Sequence, residues 1–175
     1  MSSDTRPTAA LGYTRAARVR SAFVLNLVCL LGLSCSRPSL PRSENPQPDL
    51  QISVNGRPMN VRSAVLLDNG MNLELIFTSR AVNCSEIARG KDNGGDDAVE
   101  VGVFARPISL TALRVGGKRA GSTIRKPIIE LTEHYADPRT LWADAAYGTL
   151  DIATSTLEIR GKFHARGCGT RANHL

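Results

Sequence analysis

The chain has 175 residues, a formal net charge of +6 and four cysteines. Half of the positive excess lies near the N-terminus, where Arg6, Arg15, Arg18 and Arg20 stand against Asp4. Aromatic residues make up only 5% of the chain, so it lacks the stacking surface that single-stranded nucleic acid requires. Length and composition therefore favour one folded domain and argue against nucleic acid as its partner.

Residues 1–34 have the layout of a bacterial export signal. Arg15, Arg18 and Arg20 precede an apolar run of 12 residues from Ala22 to Leu33, and small residues follow it. A helix of that length spans about 18 Å, whereas the hydrocarbon core of a bilayer is about 30 Å thick. The run is therefore predicted to be the core of a removable signal peptide, not a membrane span or a buried core helix.

The end of this run resembles the lipobox of bacterial lipoproteins, in which a small residue precedes a lipid-modified cysteine. Ser34 stands directly before Cys35 and Ser36 follows it, whereas Gly32 and Leu33 depart from the residues usual at their positions. The resemblance implies a lipid on Cys35 and anchoring to the outer membrane of the cell envelope. The alternative is ordinary cleavage near Ser34, which would give a soluble periplasmic or secreted protein.

Residues 35–49 form a predicted tether. Four prolines in this segment remove backbone donors, and Leu40 is its one large apolar side chain. Such a segment buries too little surface to fold, and in a polyproline II conformation it would reach about 40 Å. We therefore expect a disordered spacer between the lipid and a folded domain that spans residues 50–175.

From Leu50 onward the sequence predicts short strands joined by turns. Leu50–Val54 alternates apolar and polar residues and precedes the turn dipeptide Asn55-Gly56. Val61–Leu67 and Asn72–Thr78 predict a β-hairpin. Further strands are expected around 99–103, 109–115, 128–131 and 150–165. About eight strands with almost no helix predict an all-β, mainly antiparallel domain, either a single β-sandwich or an open barrel.

The clearest alternation in the chain predicts a hairpin over residues 150–165. Its expected inner face consists of Leu150, Ile152, Leu157, Ile159 and Phe163, and its expected solvent face consists of Glu158, Arg160, Lys162 and His164. One short helix is predicted over residues 83–88, where Asn83 or Ser85 would cap the first turn. Residues 132–146 are predicted to be irregular, with Trp142 as a core or edge anchor.

The cysteines predict one disulfide. Cys29 lies in the signal segment and Cys35 is the lipid site, which leaves Cys84 and Cys168 as a pair in an oxidising compartment. The alternative is a zinc site that includes His164, but structural zinc requires four ligands and no further Cys or His spacing supplies them. No metal or cofactor is therefore expected.

Catalytic signals are weak. Of the three histidines, His164 is expected on the exposed face of a hairpin strand and His174 is next to last, so His134, near Glu133, Tyr135 and Asp137, is the only acid–base candidate. The hydrolase motifs G-x-S-x-G and H-E-x-x-H are absent. The polar segment 89–97 fails the spacing of an EF-hand, so a polar loop is expected there, with an irregular calcium site as the minor alternative.

Three features resemble small β-sandwich domains of uncharacterised bacterial lipoproteins: the Asn55–Pro58 turn, a cysteine after an early strand, and the closing segment Ala165–Gly169. This resemblance implies no activity. We therefore expect a non-catalytic envelope lipoprotein that is anchored to the membrane by its lipid and whose β domain binds a protein or an envelope polymer. The alternative is an exported hydrolase with a site around His134 and Asp137.

Overall fold

The computed structural model describes residues 44–69, 72–89, 98–135 and 143–170. Within these ranges the elements are β1 Leu50–Val54, β2 Arg57–Met59, β3 Ser63–Asp68, β4 Asn72–Thr78, α1 Cys84–Ala88, β5 Val99–Ala105, β6 Ile108–Val115, β7 Lys118–Arg119, β8 Ile128–His134, β9 Ala145–Ala153 and β10 Leu157–Gly167. Strands account for 62% of the structure, so the predicted all-β class is confirmed. The short strands β2 and β7 were not predicted, because two or three residues carry no periodic pattern.

All ten strands belong to one mixed sheet that is not closed. The main path runs β2-β1-β10-β3-β4-β5-β6-β7, and β8 joins through β9, which pairs with β10. The sheet branches at β10. The first half of β10 pairs with β1, and its last two residues pair with β3. The opposite edge of β10 pairs with β9. Only the β10–β3 contact is parallel, so the predicted mainly antiparallel arrangement is confirmed.

The two branches of the sheet enclose one hydrophobic core. Phe77 of β4 meets Phe163 of β10 edge to face, with ring centroids 6.1 Å apart. The predicted hairpin faces are confirmed, since the five apolar side chains of its inner face are buried and the four polar ones of its outer face are exposed. Because neighbouring residues of a strand point to opposite faces, this register places Glu158, Arg160, Lys162 and His164 in solvent.

The outer face of β3 and β4 is covered by α1. Ile87 of the helix packs with Val65, Leu67 and Ile76 in a second, smaller apolar cluster. The helix begins where the sequence predicts, with the Asn83 side-chain oxygen accepting a hydrogen bond from the Ser85 amide at 3.0 Å. Burial on both faces explains why residues 64–67 of β3 are a continuous apolar run and not an alternating one.

Two side-chain amides, of Asn45 and Gln47, lie beside the stretch of β10 that pairs with neither β1 nor β3. The Gln47 oxygen accepts a hydrogen bond from the His164 amide at 2.7 Å, and its side-chain nitrogen donates to the His164 carbonyl at 3.0 Å. Asn45 makes the same kind of paired contact with the backbone of Ala64. The folded domain therefore begins before the predicted boundary at Leu50, because side-chain amides here replace the main-chain partners of a strand.

The region predicted to be irregular, residues 132–146, is partly strand. β8 continues through His134, and β9 begins at Ala145. The two strands approach so closely that a Cβ atom on Gly148 would collide with the Glu130 carbonyl. A glycine is thus required at this position. Trp142 and most of the segment 89–97 lie outside the described residues.

Candidate functional site

The predicted disulfide between Cys84 and Cys168 is present, with the two Cα atoms 4.9 Å apart. It ties the first residue of α1 to the chain just after β10, and the Arg166 guanidinium donates a hydrogen bond to the Cys84 sulfur at 3.4 Å. Both thiols are used by the bond, so neither is available as a metal ligand. The described residues contain no group of three or more His, Cys, Asp or Glu side chains that could hold a metal ion. Cys35 lies outside the described residues.

His134 lies at the exposed end of β8. Its carbonyl accepts a hydrogen bond from the Asp144 amide at 2.8 Å, which fixes the backbone at this point. The neighbouring side chains of Glu133 and Tyr135 are half-buried and contact each other, whereas the His134 side chain is exposed. The described residues therefore do not place His134 in an acid–base pair with either neighbour, and its other suggested partner, Asp137, lies outside them.

Tyr135 and Glu133 form a distinct polar contact at the end of the core. The Tyr135 hydroxyl donates a hydrogen bond to the Glu133 carboxylate, and the Tyr135 ring packs against the main core. That hydrogen bond, together with burial and the nearby charges of Glu133 and Asp68, raises the pKa of Tyr135 to about 12. A phenol with this pKa stays protonated at neutral pH and serves as a hydrogen-bond donor.

Asp68 is a buried carboxylate that the sequence analysis did not single out. Its side chain is almost fully buried and accepts a hydrogen bond from the Ala143 amide at 2.9 Å. A carboxylate bonded to a backbone amide fixes the chain that leads into β9. Because the partner is 75 residues away, local sequence gives no indication of this contact.

A groove of about 680 Å³ lies beside the β1–β2 hairpin, and we call it the hairpin groove. It is lined by Val54, Asn55, Arg57, Pro58, Met59, Asn60, Ser79 and Val115. The Asn55-Gly56 turn that shapes it has positive φ angles of 51° and 74°, as this dipeptide favours. The Asn55 amide donates to the Thr156 carbonyl at 2.7 Å and so fixes the turn to the body of the sheet.

The hairpin groove combines an apolar floor with a polar rim. Val54, Met59 and Val115 are half-buried and pack against the core, while Arg57 is exposed. Arg57 is the one ionisable side chain among the lining residues. Concave sites with apolar walls and a few polar groups are typical of binding sites, whereas acid–base chemistry generally requires a second ionisable group.

The outer face of β9 and β10 is a solvated charged surface, as predicted. Asp151 pairs with Arg125 and lies 3.8 Å from Arg160, which also contacts Glu158 at 3.2 Å. Exposed ion pairs of this kind add little stability. Tyr147 is 47% exposed on the same face.

No helix among the described residues has the length and apolar character needed to cross a membrane. Comparison of the chain with protein-family models, with curated proteins and with solved structures gives no match. The chemistry of the hairpin groove is therefore the main guide to function.

Proposed function

We propose that the chain is an exported, lipid-anchored envelope protein whose β domain binds a partner protein or an envelope polymer without catalysis. The observation that carries the proposal is the composition of the hairpin groove, which pairs an apolar floor with a rim of hydrogen-bonding groups and a single cation, Arg57. The signal-like N-terminus and Cys35 support export and anchoring, and the Cys84–Cys168 disulfide suits an oxidising compartment.

The rim of the hairpin groove indicates the chemistry of the ligand. Asn55 and Asn60 carry amides that donate and accept hydrogen bonds, and the Arg57 guanidinium presents several donors in a planar fork. Such a set binds hydroxyl, carbonyl or carboxylate groups, while Met59 and Val115 contact an apolar portion of the ligand. Polysaccharides with acidic sugars and loops of envelope proteins both offer this combination.

Site-specific photocrosslinking in the native envelope tests the binding proposal. A benzophenone side chain replaces Met59 in the full-length chain, and a matched control carries it at Lys162 on the exposed face of β10. We expect discrete adducts from position 59 that weaken when Arg57→Ala is added, and none from position 162. Equal adducts from both positions, or none from position 59, would contradict the proposed role of the groove.

Mass spectrometry of the mature N-terminus tests the anchor. We expect a diacylglyceryl-modified Cys35 at the first position, and release of the protein from the membrane fraction in Cys35→Ser. An unmodified N-terminus would show that the chain is exported without a lipid.

The substitution His134→Ala separates the proposed function from the hydrolase alternative. Because the His134 side chain is exposed, we expect unchanged stability and an unchanged adduct yield from position 59. Loss of a hydrolytic activity of the purified chain in this variant would favour the hydrolase.

A further inference from the structure

The Arg166 side chain lies against the disulfide with part of its guanidinium unsatisfied. Its Nη2 atom is 3.4 Å from the Cys84 sulfur, whereas the Gly167 carbonyl oxygen lies farther from that sulfur, at 4.0 Å. Its Nε atom is buried and has no hydrogen-bond partner, unlike every other buried side-chain nitrogen or oxygen of the described residues. A buried donor without an acceptor costs free energy, and native proteins keep few of them.

The topology of the sheet explains why Arg166 finds no acceptor. Its cross-strand neighbours are Ala145 of β9 and Val65 of β3, and neither side chain has a polar atom. Arg166 forms no ion pair with any described residue. Because a guanidinium is always charged in proteins, the Cys84 sulfur lies beside a cation that no described carboxylate neutralises.

Two other charges near Cys84 belong to α1. Glu86 lies in the first turn of the helix. The Arg89 guanidinium is held by Ser85, since it donates to the Ser85 carbonyl at 2.7 Å and to the Ser85 hydroxyl at 3.2 Å. Arg166 is therefore the cation that contacts the sulfur.

This contact stabilises a reduced Cys84 more than a bonded one. A disulfide sulfur is a weak acceptor, whereas a thiolate beside a guanidinium forms a charge-assisted hydrogen bond. A more stable thiolate is also a better leaving group in thiol–disulfide exchange. No side-chain donor of the described residues contacts the Cys168 sulfur, so Cys84 is the better leaving group of the two.

We infer that the Cys84–Cys168 bond is a site of thiol–disulfide exchange with low-molecular-weight thiols. The thiolate of the incoming molecule attacks the Cys168 sulfur, the bond between the two protein sulfurs breaks, and its electron pair leaves on Cys84 beside Arg166. The products are a mixed disulfide on Cys168 and a thiolate on Cys84.

A second molecule of the same thiol completes the reaction. Its thiolate attacks the sulfur of the first molecule in the mixed disulfide, and Cys168 leaves as a thiolate. Two thiols are thereby oxidised to one disulfide, and the protein disulfide is reduced. Of the two protons that the thiols release, one goes to Cys168 and the other to solvent.

The surroundings of the bond favour a small thiol. Both cysteines are half-buried, and Cys168 packs against the apolar cluster beneath α1. A small molecule requires less room at such a sulfur than the surface of a second protein does. The inference rests on the disulfide and not on the hairpin groove, so it goes beyond the proposed function.

Reaction of the purified, oxidised full-length protein with reduced glutathione tests which sulfur is attacked. Acid stops the reaction, and peptide mass spectrometry then locates the adduct. Early in the reaction we expect glutathione on Cys168 and a free thiol on Cys84. An adduct mainly on Cys84, equal adducts on both cysteines, or a bond that does not react would overturn the inference.

Variants of Arg166 test the role of the guanidinium in the same reaction. Arg166→Ala should slow formation of the mixed disulfide by about tenfold, because the Cys84 thiolate loses its charge-assisted partner. Arg166→Lys keeps a positive charge and should lose less of the rate. The matched control is Arg160→Ala, which removes an exposed arginine of the same strand and should leave the rate unchanged. An unchanged rate in Arg166→Ala, or a lysine variant as slow as the alanine variant, would contradict this role.

Alkylation of the reduced full-length protein tests the thiolate without any substitution. With iodoacetamide at neutral pH, we expect Cys84 to react about tenfold faster than Cys168 in the folded protein. The two thiols should react at similar rates in urea, where the contact with Arg166 is lost. A faster Cys168 in the folded protein, or an unchanged ratio of rates in urea, would overturn the inference.

Discussion

The strands β3 and β6 differ sharply in their surroundings. All six residues of β3 are buried, with Leu66 in the main core and Leu67 in the cluster beneath α1. Of the eight residues of β6, only Leu113 is buried. The first strand is paired on both edges and covered on both faces, whereas residues 108–112 of the second form strand pairs only with β5 among the described strands.

This difference indicates that the strands of one sheet contribute unequally to folding stability. Burial of apolar area is the main source of folding stability, so the centre around β3, β4 and β10 should carry most of it. Strands with little buried area contribute less and open locally more easily. The predictions below therefore compare substitutions in the centre with matched changes at exposed positions.

The largest loss of stability is expected for Phe163→Ala. The Phe163 ring is 4% exposed and contacts Phe77 across the core, so its removal leaves a cavity and should cost about 3–5 kcal/mol. The adjacent substitution Lys162→Ala removes an exposed side chain and should cost less than about 0.5 kcal/mol. Chemical denaturation of both variants measures the difference, and equal losses would mean that the register of β10 is wrong.

Removal of the disulfide should have the next largest effect. The bond closes a loop with a sequence separation of 84 residues, for which chain entropy gives an upper estimate of about 4.5 kcal/mol. We expect Cys84→Ser/Cys168→Ser to lose about 2–4 kcal/mol, as is typical of native disulfides. Thermal melting of the double variant with and without reductant tests this. A further loss on adding reductant would show that another bond matters.

Gln47→Ala tests the side-chain link between the segment that precedes β1 and the strand β10. The substitution removes the side-chain partner of the His164 amide and leaves the His164 carbonyl with the Asn45 side chain at 3.2 Å, which should cost about 1–2 kcal/mol. Gln51→Ala, at an exposed position of β1, is the matched control and should change stability by less than about 0.5 kcal/mol. Urea unfolding of the two variants compares them. Indistinguishable urea midpoints would mean that the Gln47 contacts add no stability. Residues 44–49 would then belong to the predicted tether.

The smallest expected effect concerns the pH dependence at Tyr135. Its pKa rises from the ordinary value of 10.0 to about 12 in the folded state, chiefly because the phenol donates a hydrogen bond to Glu133. The folded protein therefore holds this proton more tightly than the unfolded chain. The resulting stabilisation is complete below pH 10 and is lost as the pH rises towards 12.

Ultraviolet titration of tyrosinate measures this effect directly. The chain has three tyrosines, and we expect Tyr135→Phe to remove a late ionisation step near pH 12. The variant should also lose less stability than the parent protein between pH 10 and pH 12. Loss of an ionisation step near pH 10 instead of near pH 12 would contradict the contact between Tyr135 and Glu133.

Local patterns predicted the elements whose environment is uniform along the strand. The strict alternation of β10 has one buried and one exposed face, so Ile159, Phe163 and Arg160 were placed correctly from periodicity alone. The helix start at Asn83 and the Cys84–Cys168 bond also followed from residue type and position. Each of these inferences rests on residues that carry their own structural preference.

Contacts between distant residues were not predictable. Gln47 meets His164 across 117 positions, and its role depends on a gap in the sheet that no local pattern reveals. The turn beside the hairpin groove was predictable from Asn55-Gly56. The rest of its lining was not, because Ser79 directly follows β4 and Val115 comes from the end of β6. The pairing of residues 108–112 of β6 with β5 alone, among the described strands, likewise depends on topology and not on any one segment.

Native-state hydrogen exchange of the free full-length protein is the most direct test of the contrast between the buried strands at the centre of the sheet and the weakly buried strand β6. We expect the amides of β3 and β4 to exchange only through global unfolding, and the outward amides of Ile108–Ala112 to exchange through local fluctuations many orders of magnitude faster. Equal protection of β3 and of these β6 amides would contradict the account, because β6 would then be as stable as the centre of the sheet.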